Sequence, residues 1–121
     1  MPIKAKWTPF TEAVIRNLSL NESGVYELGR ERGDVVLYIG QSASSIRERL
    51  LDHKEKTDFQ ICTHFRKRRT QPEDAEDAER RLMDAFCKSH DGNQPKLNTQ
   101  KPTMRNSRRS DVPLDRIRTL L

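Results

Sequence analysis

One carboxylate occupies an unexpected place in a predicted helix. At about 100° per residue, residues 73–90 form a helix with one apolar arc. The arc comprises Ala75, Ala78, Leu82, Met83, Ala85 and Phe86. Glu79 falls in the middle of this arc, and a lone carboxylate in an apolar interface is strongly destabilising. Glu79 therefore needs a bound metal, a water-filled cleft or a cation, and an ion pair with Arg47, Arg49 or Arg80 is the structural alternative.

A cation and an imidazole could act together on a phosphate. Arg49 and His53 lie one turn apart along the edge of a predicted helix, residues 46–56, whose inward face carries Ile46 and Leu50. A guanidinium can offer two parallel hydrogen bonds to a phosphate. An imidazole one turn away can donate to the same anion or take up a proton. By position alone, both could also be ordinary surface residues.

Two tyrosines could supply hydroxyl groups to the same place. Tyr26 and Tyr38 fall on neighbouring predicted strands, so both hydroxyls can emerge on one side of a sheet. An unperturbed tyrosine has a pKa of about 10. A nearby metal and Arg49 would lower that pKa toward a useful range. The alternative is that both residues are ordinary strand aromatics.

These side chains are positioned by a strand, turn, strand and helix. Residues 24–28 and 35–39 are rich in β-branched and aromatic residues, and residues 29–34 (GRERGD) between them have the glycines and charges of a turn. Ser45 begins a capping box for the next helix. Apolar and polar residues alternate over 59–66, which predicts a third, half-buried strand. The pattern favours a small three-stranded antiparallel sheet flanked by helices, of the α/β (α+β) class.

The order of these motifs resembles a nuclease family. GVY at 24–26, eleven residues, YIG at 38–40 and an arginine on the following helix are similar to the GIY-YIG nucleases. His53 lies where the family has a histidine or tyrosine, and Glu79 matches its metal-holding glutamate. Residues 95–98 (PKLN) resemble the family's ending of proline, any residue, tyrosine and asparagine, with Leu97 in place of the tyrosine.

The resemblance implies a metal-dependent endonuclease that hydrolyses phosphodiester bonds with one Mg²⁺ (or Mn²⁺) bound by Glu79. It implies that Tyr26 activates the attacking water and that Arg49 stabilises charge on the phosphoryl oxygens. The other matched residues are expected to orient the phosphate or water, or to steady the site: Tyr38, His53 and Asn98.

The chain is basic, with a net charge of +5 and a pI near 9.5. This charge favours a polyanionic partner, most plausibly DNA, although moderately basic chains are common. Residues 66–69 are four adjacent cations, which repel one another and are most stable beside an anion. They could contact phosphate or, equally, form a solvated basic loop. The expected nucleic-acid contacts are Gln41, Ser42, Arg47, Arg66, Lys67, Arg68, Arg69, Lys101, Arg105, Arg108 and Arg109.

A length of 121 residues fits one small domain. We divide it into an N-terminal helical extension (1–22), a nuclease-like domain (23–100) and a basic tail (101–121). The extension's helix is predicted to begin at Thr8, with Trp7 sealing its packing or stacking on a base. A short last helix in the tail, with Leu114, Ile117 and Leu121 on one face, could dock on the domain or form a homodimer.

No apolar run is long enough to span a bilayer, and the N-terminus lacks a signal peptide's apolar region, so we expect a cytoplasmic protein without a membrane partner. The two cysteines are too few for a disulfide scaffold. Two alternatives remain open for the function. One is a non-catalytic nucleic-acid-binding module of the same fold. The other is a structural zinc module built from Cys62, His64, Cys87 and His90.

Overall fold

The computed structural model describes residues 3–98, which form an α+β fold around a four-stranded antiparallel sheet. In chain order the strands are β1 (Thr8–Pro9), β2 (Gly24–Arg30), β3 (Val35–Ser42) and β4 (His64–Arg69). The α-helices are α1 (Glu12–Ile15), α2 (Ile46–Lys54) and α3 (Ala75–Ser89). Short 3₁₀ helices span Thr57–Ile61, Pro72–Asp74 and Lys96–Asn98. The spatial order of the strands is β1-β4-β2-β3, so β2 is an inner strand and β3 lies at one edge.

The hairpin of β2 and β3 is the centre of the fold. Gly33 and Asp34 in its turn have positive φ angles, which glycine and aspartate tolerate better than bulkier residues. The register shifts between Leu28 and Gly29. A Cβ on Gly29 would lie 1.9 Å from the carbonyl oxygen of Val35, so only glycine allows this close approach of the two strands. The GRERGD segment is thus the turn that its composition predicts.

Both faces of the sheet are buried. On one face, Tyr26, Leu28 and Phe65 pack with Ile46 and Leu50 of α2. On the other face, Val25 and Ile39 pack with Ala78 and Leu82 of α3. Successive strand residues point to opposite faces, which is why β2 contributes to both clusters. The continuous apolar run of β3 is only partly buried, because β3 lies at an edge of the sheet and Val35 at its start is 40% exposed.

The first two predicted strands lie within β2 and β3, but the prediction of a third strand over 59–66 is wrong in its first half. Residues Thr57–Ile61 form a 3₁₀ helix, and β4 begins only at His64. In this segment Phe59 and Cys62, three residues apart, are buried in the cluster under α2 without any strand pairing, so burial does not follow the alternation.

The predicted helix start at Thr8 is also wrong. Thr8 and Pro9 pair with Phe65 and His64 as a two-residue edge strand, where proline's missing N–H is tolerated. The helix is only one turn long and begins after Thr11, whose Oγ1 accepts a hydrogen bond from the Val14 N–H. Phe10 determines this arrangement, because its ring packs edge-on against Phe65, with the ring centroids 6.4 Å apart.

Among residues 3–98, no helix is long and apolar enough to cross a membrane.

Candidate active site

The site lies on the paired strands β2 and β3. Tyr26 pairs with Gly40 in the antiparallel register, and the tyrosine ring lies directly over the glycine. A Cβ on Gly40 would lie 2.6 Å from both Cζ and the hydroxyl of Tyr26 and 2.8 Å from Cε2 of Tyr38. The glycine after Ile39 therefore makes room for both tyrosine rings.

Four rings form a contiguous cluster beside this pair of residues. The ring centroid of His53 lies 5.7 Å from that of Tyr26, 4.8 Å from Tyr38 and 4.3 Å from Phe59. Tyr38 also meets Phe59 edge-on at 5.1 Å. The motif residues Tyr26, Tyr38 and His53 are thus brought together. We did not single out Phe59 from the sequence, because its alternating neighbours were typical of a strand.

One hydrogen bond joins the two most buried members of the cluster. The hydroxyl of Tyr26 lies 2.8 Å from Nε2 of His53, and both side chains are almost inaccessible to solvent. Burial, together with smaller effects of the charges of Arg49 and Lys56, lowers the pKa of His53 to about 3. The imidazole is therefore neutral at pH 7, so one of its nitrogens can accept a hydrogen bond.

The tyrosines are held in their protonated form. Burial raises the pKa of Tyr26 well above its ordinary value, with a further rise from Tyr38. Burial also raises the pKa of Tyr38. Arg49 opposes both shifts through its charge and through hydrogen bonding to the hydroxyls. The expected lowering of these pKa values involves a metal together with Arg49; desolvation outweighs the effect of Arg49 by itself.

Arg49 lies beside both tyrosines on the side facing solvent. It is exposed and has no salt bridge among the described residues. Its guanidinium lies close enough to Glu79 to lower the pKa of that carboxyl group. Helices from the two faces of the sheet thus bring Arg49 and Glu79 into electrostatic contact.

Glu79 is half-buried on α3 in a groove of about 440 Å³. Burial raises its pKa, Arg49 lowers it, and Glu76 raises it again, with a net rise. The ion-pair alternative is not found in residues 3–98, since Arg80 pairs with Asp77 and Arg47 approaches Glu48. Glu79 therefore lies in an open groove and has no direct counter-ion among the described residues. A cleft of this kind is one of the environments predicted from its place in the apolar arc.

Asn98 lines the same groove, but its amide is fully engaged with the edge strand. Its Oδ1 accepts a hydrogen bond from the N–H of Ile39 at 2.8 Å, and its Nδ2 donates to the carbonyl of Ile39 at 3.0 Å. Leu97 beside it is buried in the core. Asn98 thus pairs with the open edge of β3 next to Tyr38 through one accepted and one donated hydrogen bond.

The start of α2 is fixed by side chains that were expected to bind nucleic acid. The Ile46 N–H donates to the Glu22 carbonyl at 2.8 Å, and both carboxylate oxygens of Glu22 accept hydrogen bonds from Lys67 Nζ, at 2.8 and 2.7 Å. Ser42 is buried, and its Oγ accepts hydrogen bonds from the backbone of Ser44 and Ser45. Lys67 and Ser42 therefore hold the helix that carries Arg49 and His53.

The basic run 66–69 lies in β4, and its first member is buried. Arg66 is 6% exposed, its Nε donates to Glu27 at 2.6 Å, and Nη1 donates to Asp34 at 3.1 Å. Trp7 covers the guanidinium at 4.1 Å, so Trp7 packs within the fold. The expectation that Arg66 contacts phosphate is wrong, because the alternation of β4 places it inside, opposite a carboxylate that local sequence does not reveal.

The remaining expected contacts differ in accessibility. Arg68 and Arg69 are exposed, while Gln41 and Arg47 are half-buried. Four further residues, Lys101, Arg105, Arg108 and Arg109, lie outside the described residues, and so does the segment for which a short last helix with an apolar stripe was predicted.

The zinc alternative is not supported by residues 3–98, which contain no cluster of three or more histidine, cysteine or acidic side chains that could hold a metal. Cys62 is buried under α2, whereas Cys87 lies on α3 and His90 directly follows it, and α3 packs on the opposite face. Both cysteines are free, and burial raises the pKa of Cys62 to about 11. The sequence spacing did not reveal this separation, because it depends on which face each helix covers.

Comparisons with known proteins identified no relative: no protein-family model, no curated protein and no solved structure matches this chain.

Proposed function

We propose that the protein is a metal-dependent endonuclease of the GIY-YIG type that hydrolyses phosphodiester bonds in nucleic acid, most plausibly DNA. The observation that carries the proposal is that Tyr26, Tyr38 and His53 contact one another, and that Arg49 lies beside both tyrosines and close enough to Glu79 to interact with its charge. These residues come from two strands and two helices, and each has the type and order of the motif. A cation, hydroxyl groups, a neutral imidazole and an unpaired carboxylate are the groups that phosphodiester hydrolysis uses.

The hydrogen bond between Tyr26 and His53 provides a route for the proton of the attacking water. Tyr26 takes that proton on its oxygen while its own proton moves to Nε2 of His53, so no free tyrosinate has to form. The low pKa of His53 opposes this transfer in the empty site. A bound phosphate adds negative charge beside Arg49 and raises the basicity of the imidazole. The relay is therefore favoured when substrate is present.

Arg49 supplies the positive charge that phosphoryl transfer needs. Its exposed guanidinium can form two hydrogen bonds to the phosphate oxygens, and it already lies beside both tyrosine hydroxyls. A phosphate held by Arg49 would place its phosphorus next to Tyr26. Arg49 thus both binds the substrate and stabilises the charge that develops during attack.

The residues around Glu79 suit a single Mg²⁺ or Mn²⁺. Magnesium is usually held by one or two carboxylates, with water and phosphate oxygens completing its shell. A half-buried carboxylate with a raised pKa, in an open groove and without a salt bridge among the described residues, fits that donor set. The bound ion would polarise a phosphoryl oxygen and stabilise the leaving oxygen.

A protein with this activity would act in the cytoplasm, where its two free cysteines stay reduced.

One site cuts one strand, so a homodimer is a natural way to cut two. Exposed cations beyond the site, Arg68 and Arg69 among them, would hold the backbone of the nucleic acid.

A panel of labelled duplex, flap, bubble and single-stranded substrates tests the function and its substrate form. We expect Mg²⁺-dependent cleavage of at least one substrate by the wild type and loss of that cleavage in Glu79→Gln. Glu73→Gln is the matched control, since Glu73 is exposed and does not line this groove. Equal cleavage by both variants would remove Glu79 from the site, and no cleavage of any substrate would refute the nuclease.

A further inference from the structure

The orientation of His53 is not explained by its hydrogen bonds alone. A catalytic or metal-binding histidine usually has one ring nitrogen held by a carboxylate or carbonyl, which fixes the ring for the other nitrogen. Nδ1 of His53 is buried and has no hydrogen-bond partner in the described part of the chain. Only Nε2 is bonded, to Tyr26. A single bond leaves the imidazole free to rotate about it unless packing prevents rotation.

Packing from one residue supplies that restraint. The Phe59 ring lies 4.3 Å from the imidazole of His53, inclined by 37° to it, and 5.1 Å from the Tyr38 ring at 77°. Phe59 is 9% exposed and belongs to the 3₁₀ helix Thr57–Ile61. This helix is tied to the end of α2, because the side-chain amide of Gln60 donates to the carbonyl of Lys54, the last residue of α2, at 2.8 Å. The aromatic face is thus held against His53.

We propose that Phe59 is a positioning residue: its ring holds His53 with Nε2 on the Tyr26 hydroxyl and keeps Tyr38 beside them. The Phe59 ring fixes the orientation of the imidazole, which at other histidines is fixed by a carboxylate or carbonyl. The positioning follows from the geometry, whereas its effect on cleavage rests on the proposed function. Phe59 itself touches no substrate in this account.

The test compares Phe59→Leu and Phe59→Ala with Phe65→Ala. Leucine keeps most of the apolar volume but has no flat face, while Phe65 is a buried ring on the same face of the sheet that meets Phe10. The first readout is the titration of the His53 ring protons by NMR. His53 is faced by Tyr26 from β2, Tyr38 from β3, and Arg49 and Lys56 from its own helix and the turn after it.

In the wild type, we expect His53 to titrate near a pKa of about 3. In Phe59→Leu it should move toward the ordinary value of about 6.5, because the ring turns and water reaches it. Phe65→Ala should leave the titration where it is in the wild type, provided the variant is folded. An unchanged His53 titration in Phe59→Leu would overturn the proposal, whether or not the protein cleaves nucleic acid.

The second readout is kinetic. For a misplaced proton acceptor we expect kcat to fall by about a hundredfold in Phe59→Leu. KM should stay within about threefold of the wild type, since Arg49 still binds the phosphate. If Phe59 only stabilises the fold, leucine should restore both stability and kcat, and the proposal fails. A wild type that cleaves nothing refutes the nuclease while leaving the titration as the test of positioning.

Discussion

The hydroxyl of Tyr26 lies 2.8 Å from Nε2 of His53, although the two residues are 27 positions apart in the chain. Neither group is reactive alone, since burial raises the pKa of the tyrosine and lowers that of the histidine. Joined by one hydrogen bond, they can pass a proton without forming a buried ion in the resting state.

Gly40→Ala should damage the site more than the fold. The new Cβ would lie within 2.6 Å of the Tyr26 ring, so the ring must leave Gly40 and with it the hydrogen bond to His53. Overpacking of this kind destabilises by about 1–3 kcal/mol. Thermal melting should show a folded protein of reduced stability, with cleavage reduced far below the folded fraction. Full activity in the folded variant would mean that the position of Tyr26 does not matter.

Glu79→Gln should be at least as stable as the wild type when no metal is present, by up to about 1 kcal/mol. The carboxylate is half-buried without a salt bridge in the described residues, and the amide keeps its volume without its charge. Mg²⁺ should then stabilise the wild type more than the variant. Thermal melting in EDTA and in Mg²⁺ measures both effects.

The sign of the pH dependence provides the control for Glu79. Its pKa is raised in the folded protein, so its ionisation is destabilising, and stability falls as pH rises from the unfolded value of about 4.3 through the folded pKa. The advantage of Glu79→Gln in EDTA should therefore grow between acidic and neutral pH. A variant that is clearly less stable in EDTA at pH 7 would identify Glu79 as part of a structural ion pair.

His53 should make the protein sensitive to acid. Its pKa of about 3 lies below the unfolded value, so the unfolded chain binds the extra proton as pH falls below about 6.5. Stability should decrease by up to about 1.4 kcal/mol per pH unit in that window, and His53→Gln should lack this component. Urea unfolding of both proteins at pH 4 and pH 7 measures the difference. Equal losses in the two proteins would show that His53 is not buried in its neutral form.

The cations of β4 should separate into structural and binding residues. Lys67→Met removes the partner of Glu22 and should reduce the free energy of unfolding by about 1–3 kcal/mol. Arg68→Gln and Arg69→Gln remove exposed charges, so each should leave stability nearly unchanged. Each should flatten the dependence of duplex affinity on salt, by up to about 0.9 in slope. Binding titrations at several salt concentrations and thermal melts distinguish these outcomes; the reverse pattern would contradict the assignment.

The local pattern from residue 24 to residue 53 was sufficient to predict the hairpin and the helix that follows it. Helical periodicity alone was sufficient to single out Glu79, because a carboxylate in an apolar arc is costly wherever the helix packs. These features depend on neighbouring residues or on one helical period, and so they can be read from a single sequence.

The features that were missed depend on distant partners. Arg66 belongs to a run of four cations, yet it is buried because Glu27 lies opposite it in the register of β2 and β4. Phe59 belongs to a segment in which apolar and polar residues alternate, yet it lies in a 3₁₀ helix and its ring packs against His53. Thr8 and Pro9 have the signature of a helix start but pair with β4. In each case a tertiary contact outweighs a local preference.

Plasmid nicking by the wild type and by Tyr26→Phe, each with Mg²⁺ and with EDTA, tests the central claim most directly. The substitution removes only the hydroxyl that faces His53, so the variant should remain folded, with stability reduced by about 1 kcal/mol. We expect the wild type to nick the plasmid only in Mg²⁺, and the variant to bind DNA with little or no nicking. A wild type that binds DNA without nicking it in Mg²⁺, or a Tyr26→Phe variant that nicks at the wild-type rate, would contradict the account.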